Sequence, residues 1–588
     1  MWKSGTGLAV CLGIVCSVNG IAQADEFSDG RGALPPSFSD VSASVLPANY
    51  NVDARSASLA DIDNDGDLDL FYQGASGSQR LLRNNLIGLG TLTFTEILGN
   101  LPSGIGPSWS ACWGDYNGDG FVDVFIGQSN TASGASGDVL QNDGTGAFIN
   151  ASVATGLDDP GFHQNVAWGD IDGDEDLDLI IAMEGPIQKH EIYLQGPGTM
   201  FTPVGALVGF QQAVGVKAYG MAIGDTDGDG DLDIYLSTCR GDNNIRNNFY
   251  ENQLVESGTL SFIDIADTNG TQFMTNSYGA EFYDFDDDGD LDLFMVGADG
   301  EPSKIWRNDG GNMFTDVDTL TGHALLSDVA GDLNGGRAVD YDNDGDLDLF
   351  FHDHDARNGS DTSRKLYRND GNWEFTDVTL AEGLEQVNRG SYDSPWADID
   401  NDGDMDLIAT TDLNWIERVF LNSASTNGNH WFGVRLVGPV TNTTAVGAAV
   451  YATVNSGSPS ERTIRREANT NAGTFNQSDL PVHFGLGGAT SIDRLRIVWP
   501  NGVEREFCDV AVDQYTSIHY PRLGDFDGDG QVASADLAAF VDCYAGPASP
   551  ANPSSSHCAA ACAQAFDGDS DNDVDLIDFA SFQSEYGQ

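Results

Sequence analysis

The chain has 588 residues, with 26 Lys and Arg against 91 Asp and Glu, a formal net charge of −65. Acidity on that scale excludes the basic patches that nucleic acid and anionic membrane surfaces require, and it suits a chain that gathers cations. With 40% hydrophobic and 10% aromatic residues, the chain can build several cores, so the charge is not that of a disordered tail.

The N-terminus reads as a secretory signal. Lys3 supplies the charged start, the run from Gly7 to Ala22 is apolar, and Ala22-Gln23-Ala24 is a small-residue cleavage site. Residues 1–24 are therefore expected to be removed, and the mature protein to be secreted, outside the cell or at its surface. No later stretch is long and apolar enough to span a bilayer. Six cysteines would remain: Cys112, Cys239, Cys508, Cys543, Cys558 and Cys562. An oxidising compartment permits bridges among them. A local one among Cys543, Cys558 and Cys562 is expected, with the pairing open.

From Asp61 the sequence reads DIDNDGDLDLF, five aspartates in nine residues. Carboxylates so close repel unless a cation lies between them. The pattern returns from Asp115, Asp170, Asp225, Asp284, Asp340 and Asp398, at spacings of 54, 55, 55, 59, 56 and 58 residues. A near-constant period marks a repeat architecture. The grammar D-x-[DN]-x-D-G-x-x-D offers oxygens at positions 1, 3, 5 and 9, a carbonyl at position 7, and a glycine at position 6 for the turn. That donor set suits Ca²⁺ better than Mg²⁺, which wants a small octahedron and keeps its waters.

The expected ligands are Asp61, Asp63, Asp65 and Asp69 with the carbonyl of Asp67, then Asp115, Asn117, Asp119 and Asp123 with that of Phe121. Asp170, Asp172, Asp174 and Asp178 form the third set, and Asp225, Asp227, Asp229 and Asp233 with Asp231 the fourth. Next come Asp284, Asp286, Asp288 and Asp292 with Asp290, and Asp340, Asp342, Asp344 and Asp348 with Asp346. Asp398, Asp400, Asp402 and Asp406 with Asp404 complete the seven. The third loop has Glu175 in place of the glycine, which predicts strain there. A single loop of this kind is often only a solvated acidic turn. Seven in register are not.

No position-12 Glu follows these loops, so they are not helix-flanked EF-hands. They run straight into alternating segments such as LDLFY and LDIYLS, and read as ion-clamped hairpin turns in a sheet. Short strands opening on Phe94, Phe148, Phe201, Phe262, Phe314 and Phe375 end the units, and a seventh stands ahead of the first loop at Phe38. That offset is what a closed ring needs when an N-terminal strand completes the last unit. Residues 37–422 are therefore expected to form a seven-bladed β-propeller. The motif resembles the FG-GAP/VCBS repeats of integrin-α-type propellers, which implies Ca²⁺ in the blade loops and ligand binding at a propeller face. The tripeptide Arg240-Gly241-Asp242 is read as a chance match.

Residues 429–521 change character, with short strand patterns and a cluster of base: Arg462, Arg465, Arg466, Arg494 and Arg496. The segments NHWFGVRLVG, VGAAVYATV and QSDLPVHFGLGGATSIDRLRIVWPNG resemble the ASPIC/UnbV domain, which follows FG-GAP-type repeats in the cartilage acidic protein-like family. His430 and His483 sit beside aromatic residues and read as structural.

Residues 524–588 hold two further loops. Asp525, Asp527, Asp529, Gln531 and Asp536 form one, and Asp567, Asp569, Asp571, Asp573, Asp575 and Asp578 the other, each with a carboxylate at position 12. Helical spacing follows: Leu537, Phe540, Val541 and Tyr544, then Leu576, Phe579 and Phe582. This resembles a type I dockerin, and implies a small α-helical Ca²⁺ module with a cohesin-like or cell-surface partner. Ala533 replaces a ligand, Asn572 replaces a glycine, and the linker is long, which leaves cohesin docking open.

The fold class expected is thus mainly β: a Ca²⁺-binding propeller, a small β domain and a short helical module. Filling all nine loops adds eighteen positive charges and leaves −47, so the chain stays anionic and no nucleic-acid role is rescued. Two functions compete. The first is extracellular recognition of a polysaccharide or protein, with Trp109, Trp306 and Trp373 able to stack on sugars, while Trp113, Trp168 and Trp396 recur just before the acidic loops and read as core. The second is a polysaccharide lyase or glycoside hydrolase. No catalytic pair stands out among 91 acids, and His352 with His354 is a weak cluster.

Overall fold

The computed structural model describes residues 37–587 except 49, 53, 75–78, 129–135, 159, 184–189, 212–216, 240–245, 299, 322–325, 327–332, 354–363, 385–392, 411–416, 471–476, 478–480, 547–550, 552, 554–557 and 572. Residues 1–24, Arg240–Asp242, His354 and Asn572 lie outside the described residues.

Seven four-stranded antiparallel sheets follow one another from Ser39 to Leu421. In the first, Ala54–Ala60 pairs with Asp69–Gly74, that with Arg80–Asn84, and that with Phe94–Glu96. The next five repeat this order. The seventh is built from Trp396–Ala397, Asp406–Ala409 and Arg418–Leu421, and its fourth strand is Ser39–Asp40, with Ser39 opposite Leu421. The strand ahead of the first loop thus joins the last sheet.

Asp69–Gly74 and its counterparts Asp123–Gln128, Asp178–Met183, Asp233–Thr238 and Asp292–Gly297 are buried along their whole length. That is why they read as nearly continuous apolar runs: each sheet is covered on both faces. The covering is cyclic. Sheets one and two share a core that holds Phe71 and Trp113, and two and three one with Phe125 and Trp168. Ile180 meets Met221, Phe249 meets Phe282, and Phe294 meets Phe351 in the next three. Phe350 and Trp396 join sheets six and seven. Ile408 packs with Leu59, so the seventh sheet closes on the first. Trp113, Trp168 and Trp396 are each 1% exposed.

Trp306 is also core, at 3% exposed, which removes it from the candidate sugar platforms. It stands opposite Leu293 in the third strand of sheet five. Trp109 is half-buried beneath the Arg55 guanidinium, 4.7 Å from the ring, and Trp373 leans on Phe285.

Behind the seven sheets, His430–Val437 runs antiparallel to Val482–Gly487 and parallel to Tyr515–His519. A four-stranded sheet of Arg462–Glu467, Ala449–Val454, Ser491–Val498 and Glu504–Ala511 shares one core with it, around Phe432, Phe484, Leu495 and Trp499.

The C-terminal segment has three helices, Ser534–Cys543, Ala559–Phe566 and Leu576–Glu585, around Phe540, Phe566 and Phe582. The middle helix falls where the sequence reads as linker. It carries Cys562, bonded to Cys543, while Cys558 just before it is bonded to Cys508 of the preceding β region. Cys112 and Cys239 are buried thiols. Val541 and Leu576, expected on the apolar faces, are 68% and 69% exposed, because the helices bury Phe540 and Phe582 against Phe566.

Candidate metal centres

Each acidic loop is the hairpin turn between the first and second strands of its sheet. Two residues in every turn are left-handed. At position 6 these are Gly66, Gly120, Gly230, Gly289, Gly345 and Gly403, with Glu175 at φ 73° in the third loop. At position 4 they are Asn64, Asn343, Asn401, Asp287 and three glycines, Gly118, Gly173 and Gly228. Asn, Asp and Gly tolerate this region best, so the position read as free in the sequence is constrained as well.

The first aspartate caps the turn. Asp61 accepts the backbone N–H groups of Asp65 and Gly66 at 3.0 and 2.9 Å, Asp340 those of Asp344 and Gly345, and Asp398 those of Asp402 and Gly403. The fifth accepts the N–H of the seventh, as Asp65 does from Asp67 and Asp344 from Asp346. The ninth opens the second strand and is fully buried: Asp69, Asp123, Asp178, Asp233, Asp292, Asp348 and Asp406 are at most 2% exposed. Its Oδ1 accepts the N–H of a residue at the close of the third strand, for example Asn84, Asn308 and, just past Leu421, Asn422, each at 2.7 Å. The same asparagines reach the neighbouring sheet. Asn84 donates to Ile399 O, Asn308 to Thr226 O and Asn422 to Tyr341 O.

The second oxygen of the ninth residue accepts the N–H of the second, as Asp69 does from Ile62 and Asp292 from Phe285, but several other loop oxygens have no donor. Oδ1 of Asp63, Asp172, Asp342 and Asp400, all at position 3, and of Asp284 at position 1 are buried without a hydrogen-bond partner among the described residues. Ligand atoms of Asp61, Asp63 and Asp65 lie within 4.8 Å of one another, as do those of Asp170, Asp172 and Asp178, and those of Asp225, Asp227 and Asp229. An oxygen-only set, converging and short of donors, fits a hard divalent cation. The protonation behaviour agrees. Burial, with the adjacent carboxylates adding to it, pushes Asp61 up to about 6, Asp284 and Asp342 to about 7, Asp69 to about 8 and Asp123 to about 9.

In the C-terminal loops, Asp525 accepts from Gly528 and Gly530, in the manner of the earlier turns. The position-12 carboxylates serve their helices. Asp536 accepts from Phe526 and Ala533, and Asp578 from Gly568 and Asp575. Asp527, Asp529, Asp567, Asp569, Asp571 and Asp573 line the same turns, with Gln531 at position 7 of the first. Arg505, 2% exposed, donates to Asp525 O from the preceding β region.

The β region of residues 429–521 lies on the acidic loops. Tyr515 donates to Asp398 at 2.9 Å and Thr443 to Asp115. Arg462 pairs with Asp287 and, at 2.6 Å, with Asp346. Asn501 donates to Glu175 at 3.1 Å. Arg462, Arg465 and Arg466 of the clustered base are thus turned toward the loops, a destination that composition alone does not indicate, while Arg496 pairs with Glu504 of its own sheet. His483 Nε2 donates to Gly403 O across 3.0 Å. It is held neutral, since burial pushes it down to about 4. His352 is buried against Phe350.

Comparison with known proteins places these features in context. The FG-GAP-like repeat model matches residues 61–126, 115–181, 225–295, 284–351 and 340–409, more than half of the chain, and the ASPIC and UnbV model matches 438–523. Cartilage acidic protein 1 of Homo sapiens is 24% identical over 539 residues, 84% of this chain and 77% of that protein. The Xenopus tropicalis protein of the same name is 23% identical, over 84% and 79%. Among solved structures, a lectin from Agrocybe aegerita that recognises non-reducing terminal N-acetylglucosamine superposes with a TM-score of 0.37 at 16% identity, over 60% of this chain and 88% of the lectin. That superposition is too loose to carry any inference.

Proposed function

Because this chain belongs to the FG-GAP-like repeat family, with an ASPIC and UnbV domain behind the repeats, we propose that it is a secreted, calcium-binding recognition protein. The seven sheets are the blades of a propeller, a reading supported by the cycle of shared cores that ends where it began. The observation that carries the metal reading is the set of buried, donor-less carboxylate oxygens at one recurring loop position, those of Asp63, Asp172, Asp342 and Asp400. The carboxylates at positions 1, 3, 5 and 9 and the carbonyl at position 7 would hold Ca²⁺, about seven ions in the blades and up to two more in the dockerin-like tail. Bound there, the ion supplies charge neutralisation and stiffness, and no redox or acid–base chemistry.

Secretion is supported by the N-terminal pattern and by the two disulfides, since such bridges persist in oxidising compartments. No helix among the described residues is long and apolar enough to cross a membrane. The ligand is an extracellular polysaccharide or protein held by loops on a rigid scaffold. The tail offers a second docking surface for a cohesin-like or cell-surface partner.

The test incubates mature protein in Ca²⁺ with a panel of insoluble polysaccharides and scores both retention and released reducing or unsaturated ends. Retention without release supports recognition. Release abolished by chelator would make the protein a carbohydrate-active enzyme instead. Bound calcium is counted by mass spectrometry after gel filtration, and an ion-free protein would end the metal reading.

A further inference from the structure

We propose that the 429–521 domain recognises the metal-closed form of the loops, so that cation binding and docking of this domain are one linked equilibrium. The proposal rests on the calcium reading above. Its starting point is what the domain touches. In four loops it meets the carbonyl of the sixth residue: Arg435 donates to Gly66 O at 3.3 Å, Arg465 to Gly289 O at 2.7 Å, and Arg462 and Arg466 to Gly345 O at 2.9 and 3.2 Å, while His483 meets Gly403 O at 3.0 Å. Those carbonyls belong to residues held at φ of 91–98° in the turn, so their direction is set by the turn itself. The approach is close. A Cβ on Gly403 would lie 1.8 Å from Trp431, and one on Gly485 would lie 2.0 Å from an oxygen of Asp340.

Arginine and cation do not compete for the same atoms. Arg462 pairs with Asp287 and Asp346, at positions 4 and 7, whose carboxylates are outside the expected ligand set. Tyr515 and Gly403 N–H share one oxygen of Asp398, and the other accepts the N–H of Asp402 within the loop itself. The loops are also strung together through the same carbonyls. Asn343 donates to Gly403 O at 3.1 Å, Asn401 to Gly66 O at 3.4 Å and Asn64 to Gly120 O at 2.8 Å. Opening one loop therefore disturbs the carbonyl presented by the next. Emptied of cation at neutral pH, the converging carboxylates repel, the turns relax, and the docking array is lost. Reciprocity then requires that docking tighten cation binding by the same factor.

The sign of this linkage separates it from simple electrostatics. Arg465 is a positive charge beside Asp225, donating to its backbone carbonyl at 3.4 Å. As a mere neighbour it repels a cation, so Arg465→Gln would tighten calcium. Under linkage Arg465→Gln weakens docking and so weakens calcium. The experiment follows hydrogen exchange of the full chain across a Ca²⁺ titration, with bound calcium counted in the same samples. Peptides from Arg462–Glu467 and Val482–Gly487 are expected to gain protection in step with bound calcium, by about 5- to 150-fold, the usual span of coupling. Arg465→Gln should move the calcium midpoint several-fold higher. His483→Ala should do the same, and His483→Gln, which can still donate to Gly403 O, should restore it. Calcium-free wild type would end the metal reading itself. Full calcium occupancy with unchanged exchange in the domain, or a tighter midpoint in Arg465→Gln, would overturn the linkage and leave the calcium intact.

Discussion

Glu175 holds a left-handed turn position that six sister loops give to glycine. Its backbone N–H still reaches Asp170 at 3.0 Å, and its carboxylate is taken up by Asn501. A non-glycine residue there costs about 1–2 kcal/mol. Glu175→Gly should therefore raise stability by about 1 kcal/mol, read from the urea midpoint at constant m; a loss would mean that the bond to Asn501 outweighs the strain. The metal reading makes its own demand at this scale. Asp284→Ala with Asp286→Ala removes two of the fifth loop's expected ligands. A site filled at one hundred times its Kd contributes about 2.7 kcal/mol. The double variant should melt several degrees lower in Ca²⁺ and lose correspondingly less on adding chelator. An unchanged chelator effect would show that the fifth loop holds no ion.

At the scale of the element, the asparagine that closes the third strand in six of the seven sheets, where the third sheet has Gln195, does more than finish a hairpin. Asn308 donates its backbone N–H to Asp292, and its side chain donates to Leu291 O in its own sheet and to Thr226 O in the next and accepts from Gly310. Its side chain is fully buried. Asn308→Ala leaves two buried carbonyls and an amide unpaired, at about 1–3 kcal/mol for each group left unsatisfied. We expect a loss of at least 2 kcal/mol in chemical denaturation, whether or not Ca²⁺ is present; a loss confined to chelated protein would assign Asn308 to the metal site. The residue was visible in the sequence as the N of IWRNDG and LYRNDG, but its role between sheets was not, because the carbonyl it reaches in the next sheet lies 82 residues away. The acidic loops and the displaced N-terminal strand were legible because each is a local pattern repeated seven times. The helix Ala559–Phe566 was not: it sits among Pro, Ser and Ala, and its reason for existing is the contact of Phe566 with Phe526, Phe540 and Phe582. The second pairing of the disulfides was hidden for the same cause, since Cys508 is remote from the C-terminal three.

For the whole molecule, the question is how a chain of net charge −65 folds with carboxylates buried at seven turns. Without a cation the folded protein must either protonate them or bear their repulsion, and the second grows as pH rises. The positions differ only in degree, with Asp61, Asp170 and Asp398 raised to about 6, Asp284 and Asp342 to about 7, and Asp69 to about 8. An unfolded aspartate titrates near 3.9. Between pH 4 and 8 the folded, cation-free state therefore binds more protons than the unfolded one, and stability falls as pH rises. In chelator, the melting temperature should be higher at pH 5 than at pH 8. With Ca²⁺ the order should reverse. The ion keeps the carboxylates ionised, protons now compete with it below about 6, and His483, depressed to about 4, adds stability above 6.5 that is lost as pH falls toward 4. Two melting series, each run from pH 5 to 8 with and without Ca²⁺, decide the matter. Crossing curves are the signature of an acidic ring whose fold is completed by cations. Parallel curves would mean that the loop carboxylates are solvated in the folded state, and that the buried oxygens of Asp63, Asp172, Asp342 and Asp400 find water in place of an ion.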